Sequence, residues 1–485
     1  MNRTSISHPL QIAAVPTLDG YGSIGVTFCP GKQQPSAATG AWSRDLELDV
    51  RAIADWGAAA VLTLVEDHEI AALGVTGLRR AVEASHMDWV HAAIPDVSTP
   101  DAAFEATWVV IGEGIRDRLR AGFDIVVHCK GGLGRAGMIA ARLLVELGVD
   151  AEDAIALVRK VRPGAIETAA QERHVRQQRM VLERQPSTDA DAVRDRAMGA
   201  MLGLALGDAL GTTLEFKARD TYAPLTGIVG GGPFGLQPGQ WTDDTAMALA
   251  LAESLAYCGG LDEQDLLGRF TDWWRAGTYS CTGRCFDIGS ATAQALARWE
   301  KTQAEHCGST DPYSAGNGSL MRLAPVAIRY RDDRPALRDV AARQSQTTHA
   351  APEAVDACVF YAGLLADAIN GRPRSQVLAA SAETWAGSVS RVAKGSWRGQ
   401  LRMEINASGY VVHSLGAALW SAGRAPSFDR AVLHAANLGE DADTTAAITG
   451  QLAGALSGLS GMPAGWLDQL AWRSRLEQAV GALLQ

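Results

Sequence analysis

The stretch Ile125-Val126-Val127-His128-Cys129-Lys130-Gly131-Gly132-Leu133-Gly134-Arg135-Ala136-Gly137 decides the first half of the fold. Its apolar, β-branched start, Ile125–His128, has the pattern of a strand buried on both faces. Three glycines then permit a tight loop whose N–H groups turn inward, and the amphipathic stretch Ala136–Leu147 continues it as a helix. Such a loop, closed by the positive end of a helix, suits an oxyanion. The backbone of Lys130, Gly131, Gly132, Leu133, Gly134 and Arg135 would cradle a phosphate. The same field would favour the thiolate of Cys129, and the planar fork of Arg135 can grip two phosphate oxygens at once.

Outward from this loop, residues 24–180 alternate strand-like and helix-like segments, with a second buried strand at Val61–Val65 and a further helix at Ala151–Val161. That order predicts an α/β sandwich on a mostly parallel sheet, filling residues 1–184. The chain turns polar at Gln185–Asp191, which places a linker over 185–194. Beyond it, residues 195–485 are rich in Ala, Leu and Gly with repeated helical periods, which predicts a compact all-α bundle whose small residues let helices approach closely. A glycine-rich irregular loop runs from Gly227 to Gly239.

The first half resembles the protein tyrosine and dual-specificity phosphatases, nearest to their kinase-associated (cyclin-dependent kinase inhibitor 3-like) branch. The resemblance covers most of residues 20–180, through Ile24-Gly-Val-Thr-Phe-Cys-Pro-Gly, Leu46–Gly57, the Cys129 loop, Arg162-Pro-Gly-Ala-Ile-Glu-Thr and Gln171. It implies Cys129 as nucleophile, Arg135 as phosphate clamp and an upstream general acid; Asp96 in His91-Ala-Ala-Ile-Pro-Asp is favoured over Asp101. His128 is expected to tune the loop rather than carry protons. The family commonly has Ser or Thr after the arginine, whereas this chain has Ala136, which should slow release of phosphate from Cys129.

Two acidic clusters dominate the second half: Gln240-Trp-Thr-Asp-Asp-Thr-Ala-Met and Gly439-Glu-Asp-Ala-Asp-Thr-Thr-Ala-Ala, each opening a helix. Helix capping would need one carboxylate in each, not a Thr-Asp-Asp beside an Asp-x-Asp-Thr. Asp243, Asp244, Asp441 and Asp443, with the hydroxyls of Thr242 and Thr444, form a hard-oxygen set that suits two Mg²⁺ or Mn²⁺ ions rather than zinc.

This half resembles the ADP-ribosylglycohydrolase family, including dinitrogenase-reductase-activating glycohydrolase. The matching stretches are Gly199–Gly211, Thr242–Thr245, Phe286-Asp-Ile-Gly, Gly316-Asn-Gly-Ser-Leu-Met-Arg, Thr348-His349 and Gly439–Thr444. The resemblance implies an all-α bundle with a dimetal centre held by Thr242, Asp243, Asp244, Asp441, Asp443 and Thr444. It implies Glu215 and Asp287 as acid/base candidates, and Asn317, Gly318, Ser319 and His349 as contacts to ADP-ribose. Phe234 and Trp241 are candidates to flank the base, with core packing the equal alternative for each. Where the family's last motif has a second glycine, this chain has Glu440, and Ala442 replaces a Thr.

The formal charge of −10 argues against a dedicated nucleic-acid surface. Seven scattered cysteines fit a reducing cytoplasm, and no apolar run reads as a membrane span. The expectation is a bifunctional hydrolase that removes ADP-ribose and phosphate from proteins or nucleotides. The rival readings are a glycohydrolase with a weak phosphate-binding module, or a reader of ADP-ribose.

Overall fold

The computed structural model describes residues 2–37 and 40–485. The chain divides into two compact units, one ending at Arg184 and the other beginning at Gln185. The expected linker is too long at its C-terminal end. Asp189 accepts from the Ala192 N–H at 2.8 Å and caps a helix that starts at Ala190, so residues 190–194 are already helical.

In the first unit, strands β1 (Ala13–Val15), β2 (Ile24–Phe28), β5 (Ala60–Thr63), β6 (Asp88–His91) and β7 (Ile125–Cys129) form one sheet in the order β1-β2-β7-β5-β6. Only β1 runs antiparallel, while β3 (Gln33–Gln34) and β4 (Trp42–Ser43) make a separate two-stranded ribbon. Strand β7 lies at the centre, and its side chains alternate between two cores. Ile125 and Val127 join Ile24 and Leu62 on one face, and Val126 joins Val61 on the other. Helices α1 (Leu46–Asp55) and α3 (Leu78–Ala84) cover the second face, with α2 (Asp67–Ala72) between them in sequence. Helices α4 (Ala102–Arg120), α5 (Gly134–Glu146), α6 (Ala151–Val161) and α7 (Ala169–Gln177) supply the first. This is the expected α/β sandwich, and it puts the Cys129 loop at the carboxyl end of the central parallel strand, where such sheets build their sites.

The second unit is helical. Its core is set by α8 (Ala190–Gly211) lying antiparallel against the Ala442–Ser457 helix along a seam of small residues at four-residue spacing. A Cβ added at Gly199, Gly203, Gly207 or Gly211 would fall on the carbonyl oxygen of Gly454, Gly450, Ala446 or Ala442 respectively. The two backbones are therefore in direct contact. Counted on to Leu214, α8 is long and apolar enough to cross a membrane, but 94% of that window is buried within the unit, as befits a core helix.

The seam predicts an asymmetric response to small substitutions. Gly207→Ala should cost about 3 kcal/mol, because its methyl meets backbone that cannot move aside. Gly465→Ala, at a position where an added Cβ meets nothing within 4 Å, should cost almost nothing and gain some helix propensity. Urea unfolding followed by circular dichroism compares the two; equal midpoints would contradict the close approach.

Candidate active sites in the two units

In the first unit β7 ends at Cys129 and α5 begins at Gly134, so the loop between them is held at both ends. Gly132, at φ +69°, packs against the backbone of Thr27 and Phe28, where any side chain would collide. Its N–H points at Cys129 Sγ at 3.3 Å. From outside, Arg162 Nε donates to Gly132 O at 3.0 Å and Lys32 Nζ donates to Lys130 O at 3.3 Å, bracing the loop.

Arg135 is buried, and its guanidinium is aimed by a bidentate pair to Glu69 (2.5 and 2.9 Å) and a bond to Ile94 O at 2.9 Å. Burial alone would raise the Glu69 carboxyl, but the Arg135 fork holds it below its usual range. Asp96 stands at the open side of the loop, 2.8 Å from Arg135 Nη2 and 3.9 Å from Lys130 Nζ. Asp101 is instead committed to capping α4 through the Phe104 N–H at 2.8 Å. His128 is fully buried, its Nε2 lies 2.8 Å from Thr63 Oγ1, and burial pushes its pKa down to about 3. It is therefore neutral at any working pH. Ala136 is completely buried behind the loop.

In the second unit the seam delivers Asp208, from the last turns of α8, beside Asp443 in the first turn of the Ala442–Ser457 helix. Two carboxylate triads result, Asp208–Asp244–Asp443 and Glu215–Asp441–Asp443, each with oxygens within 4.8 Å of one another. Asp443 belongs to both. Thr242 Oγ1 lies 2.9 Å from Asp208 Oδ1 and 3.1 Å from Asp244 Oδ2, its one proton shared between them, and Thr444 lines the adjoining cleft. Asp243 belongs to neither triad but lines that cleft, facing Asp287.

Burial and mutual repulsion drive Asp243, Asp244 and Asp443 far above the ordinary carboxylate range. Burial lifts Asp208 to about 6, even though Thr245 and Thr242 donate hydrogen bonds to it. Asp244 Oδ1 is buried with no hydrogen-bond partner among the described residues. An orphaned hard oxygen inside a nest of carboxylates fits a divalent cation, which would neutralise what the protein alone leaves unpaired.

The cleft next to the triads measures about 600 Å³. Glu215 enters it from the turn after α8, with Oε2 accepting from Ala442 N–H at 2.8 Å, and burial raises it to about 7. Asp287, in a left-handed backbone at φ +58°, is likewise lifted by burial to about 7. His349 and Gly318 line the same cleft. Burial, helped by Arg322, lowers His349 to about 3. Arg322 Nη2 donates to Thr348 Oγ1 at 2.9 Å, and the Thr348 hydroxyl lies 2.8 Å from His349 Nδ1. That network assigns the proton of the ring to Nε2, beside Gly318.

Two sequence expectations need correction, and an open one is decided. Ser319 is wholly buried, 2.7 Å from Ser345 Oγ, and cannot reach a ligand. Asn317 spends its amide on Asp441 Oδ2 and Ser414 Oγ, both at 2.8 Å, so it positions a carboxylate instead of offering a donor. Of the two readings open for Trp241, the core one holds: it is packed edge-on against Trp472 and bonded to Ala471 O at 3.0 Å. Phe234 does not line the cleft itself: the Gly227–Gly239 loop, clipped by Thr213 Oγ1 to Gly230 O at 3.0 Å, holds it beside Phe286 and beside Phe216, which does. Asp208 and Glu69 were not anticipated. The signal for Asp208 was a single acid inside an apolar helix; Glu69 had none beyond its place in a short acidic helix.

The second unit thus has the makings of a metal-dependent hydrolase. A family model described as ADP-ribosylglycohydrolase matches residues 189–485, and the chain belongs to that family. A second, described as Swiss Army Knife protein, DSP-PTPase phosphatase domain, matches residues 35–175, so the chain carries a phosphatase domain as well. Among curated relatives, ADP-ribosylarginine hydrolase Tri1 of Pseudomonas putida (strain GB-1) is 45% identical over 289 residues, 60% of this chain and 78% of the relative. ADP-ribosyl-[dinitrogen reductase] glycohydrolase of Rhodospirillum rubrum is 35% identical over 303 residues, 60% of this chain and 97% of the relative. A solved structure titled ADP-ribosylglycohydrolase-related protein complex is 39% identical, covers 61% of this chain and 98% of its own, and has a TM-score of 0.54.

The raised carboxyls predict opposed pH effects. Each binds a proton more tightly folded than unfolded, so without ions the second unit should lose stability as pH rises through about 6 to 7. Divalent ions compete with those protons, so the gain in melting temperature on adding Mg²⁺ or Mn²⁺ should grow over the same range. Asp443→Asn, which weakens both triads, should remove most of that gain; an undiminished gain would place the ions elsewhere.

Proposed function

We propose that the second unit releases ADP-ribose from modified arginine side chains with the help of two Mg²⁺ or Mn²⁺ ions. The first unit, in the same proposal, hydrolyses phosphate monoesters through Cys129. The observation that carries the first part is Asp443 shared between two carboxylate triads, one of them fully buried, beside a ligand-sized cleft. The arginine acceptor rests on the 45% identity to a hydrolase named for that substrate.

When bound, the ions would supply Lewis acidity and lower the pKa of a coordinated water. Asp208, Asp244, Asp441, Asp443, Thr242 and Thr444 would hold them, with Asp243 on the cleft side. Glu215 and Asp287, both raised to about 7, can accept or return a proton at neutral pH as the bond at the ribose anomeric carbon breaks. The surrounding carboxylates stabilise the positive charge that grows on the ring. His349 Nε2–H and the Gly318 backbone contact ADP-ribose on the cleft wall.

In the first unit, the Cys129 thiolate forms a bond to phosphorus as the ester bond breaks. Asp96 gives its proton to the departing oxygen, while Arg135, steadied by Glu69, holds the equatorial oxygens. Water then frees the phosphate. This chemistry needs a reduced thiol, so the proposal places the chain in the cytoplasm. Its partners are ADP-ribosylated and phosphorylated proteins or nucleotides.

Asp441→Ala should abolish ion-dependent release of ADP-ribose from an ADP-ribosylated protein, a fall of at least about a hundredfold; unchanged release would refute the assignment. For the phosphatase, Cys129→Ser should eliminate turnover of p-nitrophenyl phosphate. The wild type should show a burst of one nitrophenolate per chain before a slow phase, because Ala136 offers no hydroxyl to assist thiolate departure. Ala136→Ser should speed that slow phase; a wild type without a burst would mean that hydrolysis of the S-phosphocysteine is not limiting.

A further inference from the structure

Phe216 and Glu440 are tied together at the mouth of the carboxylate cleft. The Phe216 N–H donates to Glu440 O at 2.8 Å, and the Glu440 N–H donates to Lys217 O at 2.8 Å. Both residues sit in the left-handed region, at φ +62° each, a conformation that penalises any residue with a side chain. Position 440 is also where the family's motif has glycine. The chain accepts that strain and spends two side chains on the cleft wall, which both residues line.

Both side chains are left largely to solvent. Phe216 is 69% exposed, its one ring contact a T-shaped pairing with Phe234 at a centroid distance of 6.4 Å among the described residues. Among the described residues the Glu440 carboxylate has an ion pair only with Arg219, at 4.0 Å, and that guanidinium already donates to the carbonyls of Leu438, Arg402 and Ile405. Their place in the chain fixes which end of the cleft they occupy. Glu215 precedes Phe216 and Asp441 follows Glu440, so the pair flanks the triad at which bond cleavage is proposed. An aromatic face beside a solvated carboxylate attracts a flat cation.

We propose that Phe216 and Glu440 form the acceptor subsite, gripping the guanidinium of an ADP-ribosylated arginine between ring face and carboxylate. This assignment rests on the ADP-ribosyl hydrolysis proposed for the same cleft. The pair acts on the leaving acceptor and not on ADP-ribose, so it sets specificity without taking part in bond breaking.

The test uses the full chain with Mn²⁺, ADP-ribosyl-agmatine as guanidino substrate and free ADP-ribose as product inhibitor lacking an acceptor. Phe216→Leu and Glu440→Gln should each raise the KM for ADP-ribosyl-agmatine about fivefold with kcat within about twofold, and leave the inhibition constant of ADP-ribose unchanged. Glu440→Gly, which relieves the backbone strain, should show the same KM effect with an undiminished melting temperature. An unchanged KM, or an inhibition constant that rises in parallel, would overturn the subsite. A wild type that releases no ADP-ribose would sink the glycohydrolase reading instead. The subsite is then judged by calorimetry: ADP-ribosyl-agmatine must bind wild type about fivefold more tightly than Glu440→Gln, and equal binding overturns it.

Discussion

Everything in the second unit depends on how closely two helices can approach. Along the seam of Gly199, Gly203, Gly207 and Gly211, backbone lies against backbone, and the gain is dispersion and weak Cα–H···O contact instead of side-chain burial. That approach fixes the distance between the end of one helix and the start of the other. Asp208 and Asp443 ride on those two ends, so the spacing of the carboxylates is inherited from the spacing of the helices. A wider seam, filled by ordinary side chains, would leave the same acids too far apart to share a cation. Core packing and site geometry are here one constraint.

The two units solve opposite electrostatic problems with the same local device. In the first, backbone N–H groups at the start of α5, with Lys32, Arg135 and Arg162 near them, make a place for an anion. In the second, carboxylates occupy the starts of the Asp243–Cys258 and Ala442–Ser457 helices, where the positive ends of those helices temper their repulsion. Two of the raised groups, Glu215 and Asp287, then sit near neutrality, where a proton can be given or taken with little driving force wasted.

Much of this was legible in the sequence, and the gaps have physical causes. The Cys129 loop could be read because its glycines, its cysteine and its arginine are contiguous and each has a conformational or chemical reason. The acidic clusters could be read because adjacent like charges need a cause. Glu69 could not, since a single glutamate in a short helix gains meaning only when folding brings it to Arg135 across 66 positions. Asp208 was visible as an interruption of an apolar helix, yet nothing local says what it faces. Ser319 erred in the opposite direction: it lies in a motif stretch, but a loop that carries a site residue turns its neighbours into the core, as it also does with Trp241.

The double membership of Asp443 has a bearing on how the centre would fill. One carboxylate serving two triads means that the charge at either position is felt directly at the other. Two cations loading there would share a single linked equilibrium, the first spending part of the shared ligand's field before the second arrived. Its apparent stoichiometry would change with cation concentration, so an ion count taken at one concentration is a point on a curve and not a property of the protein.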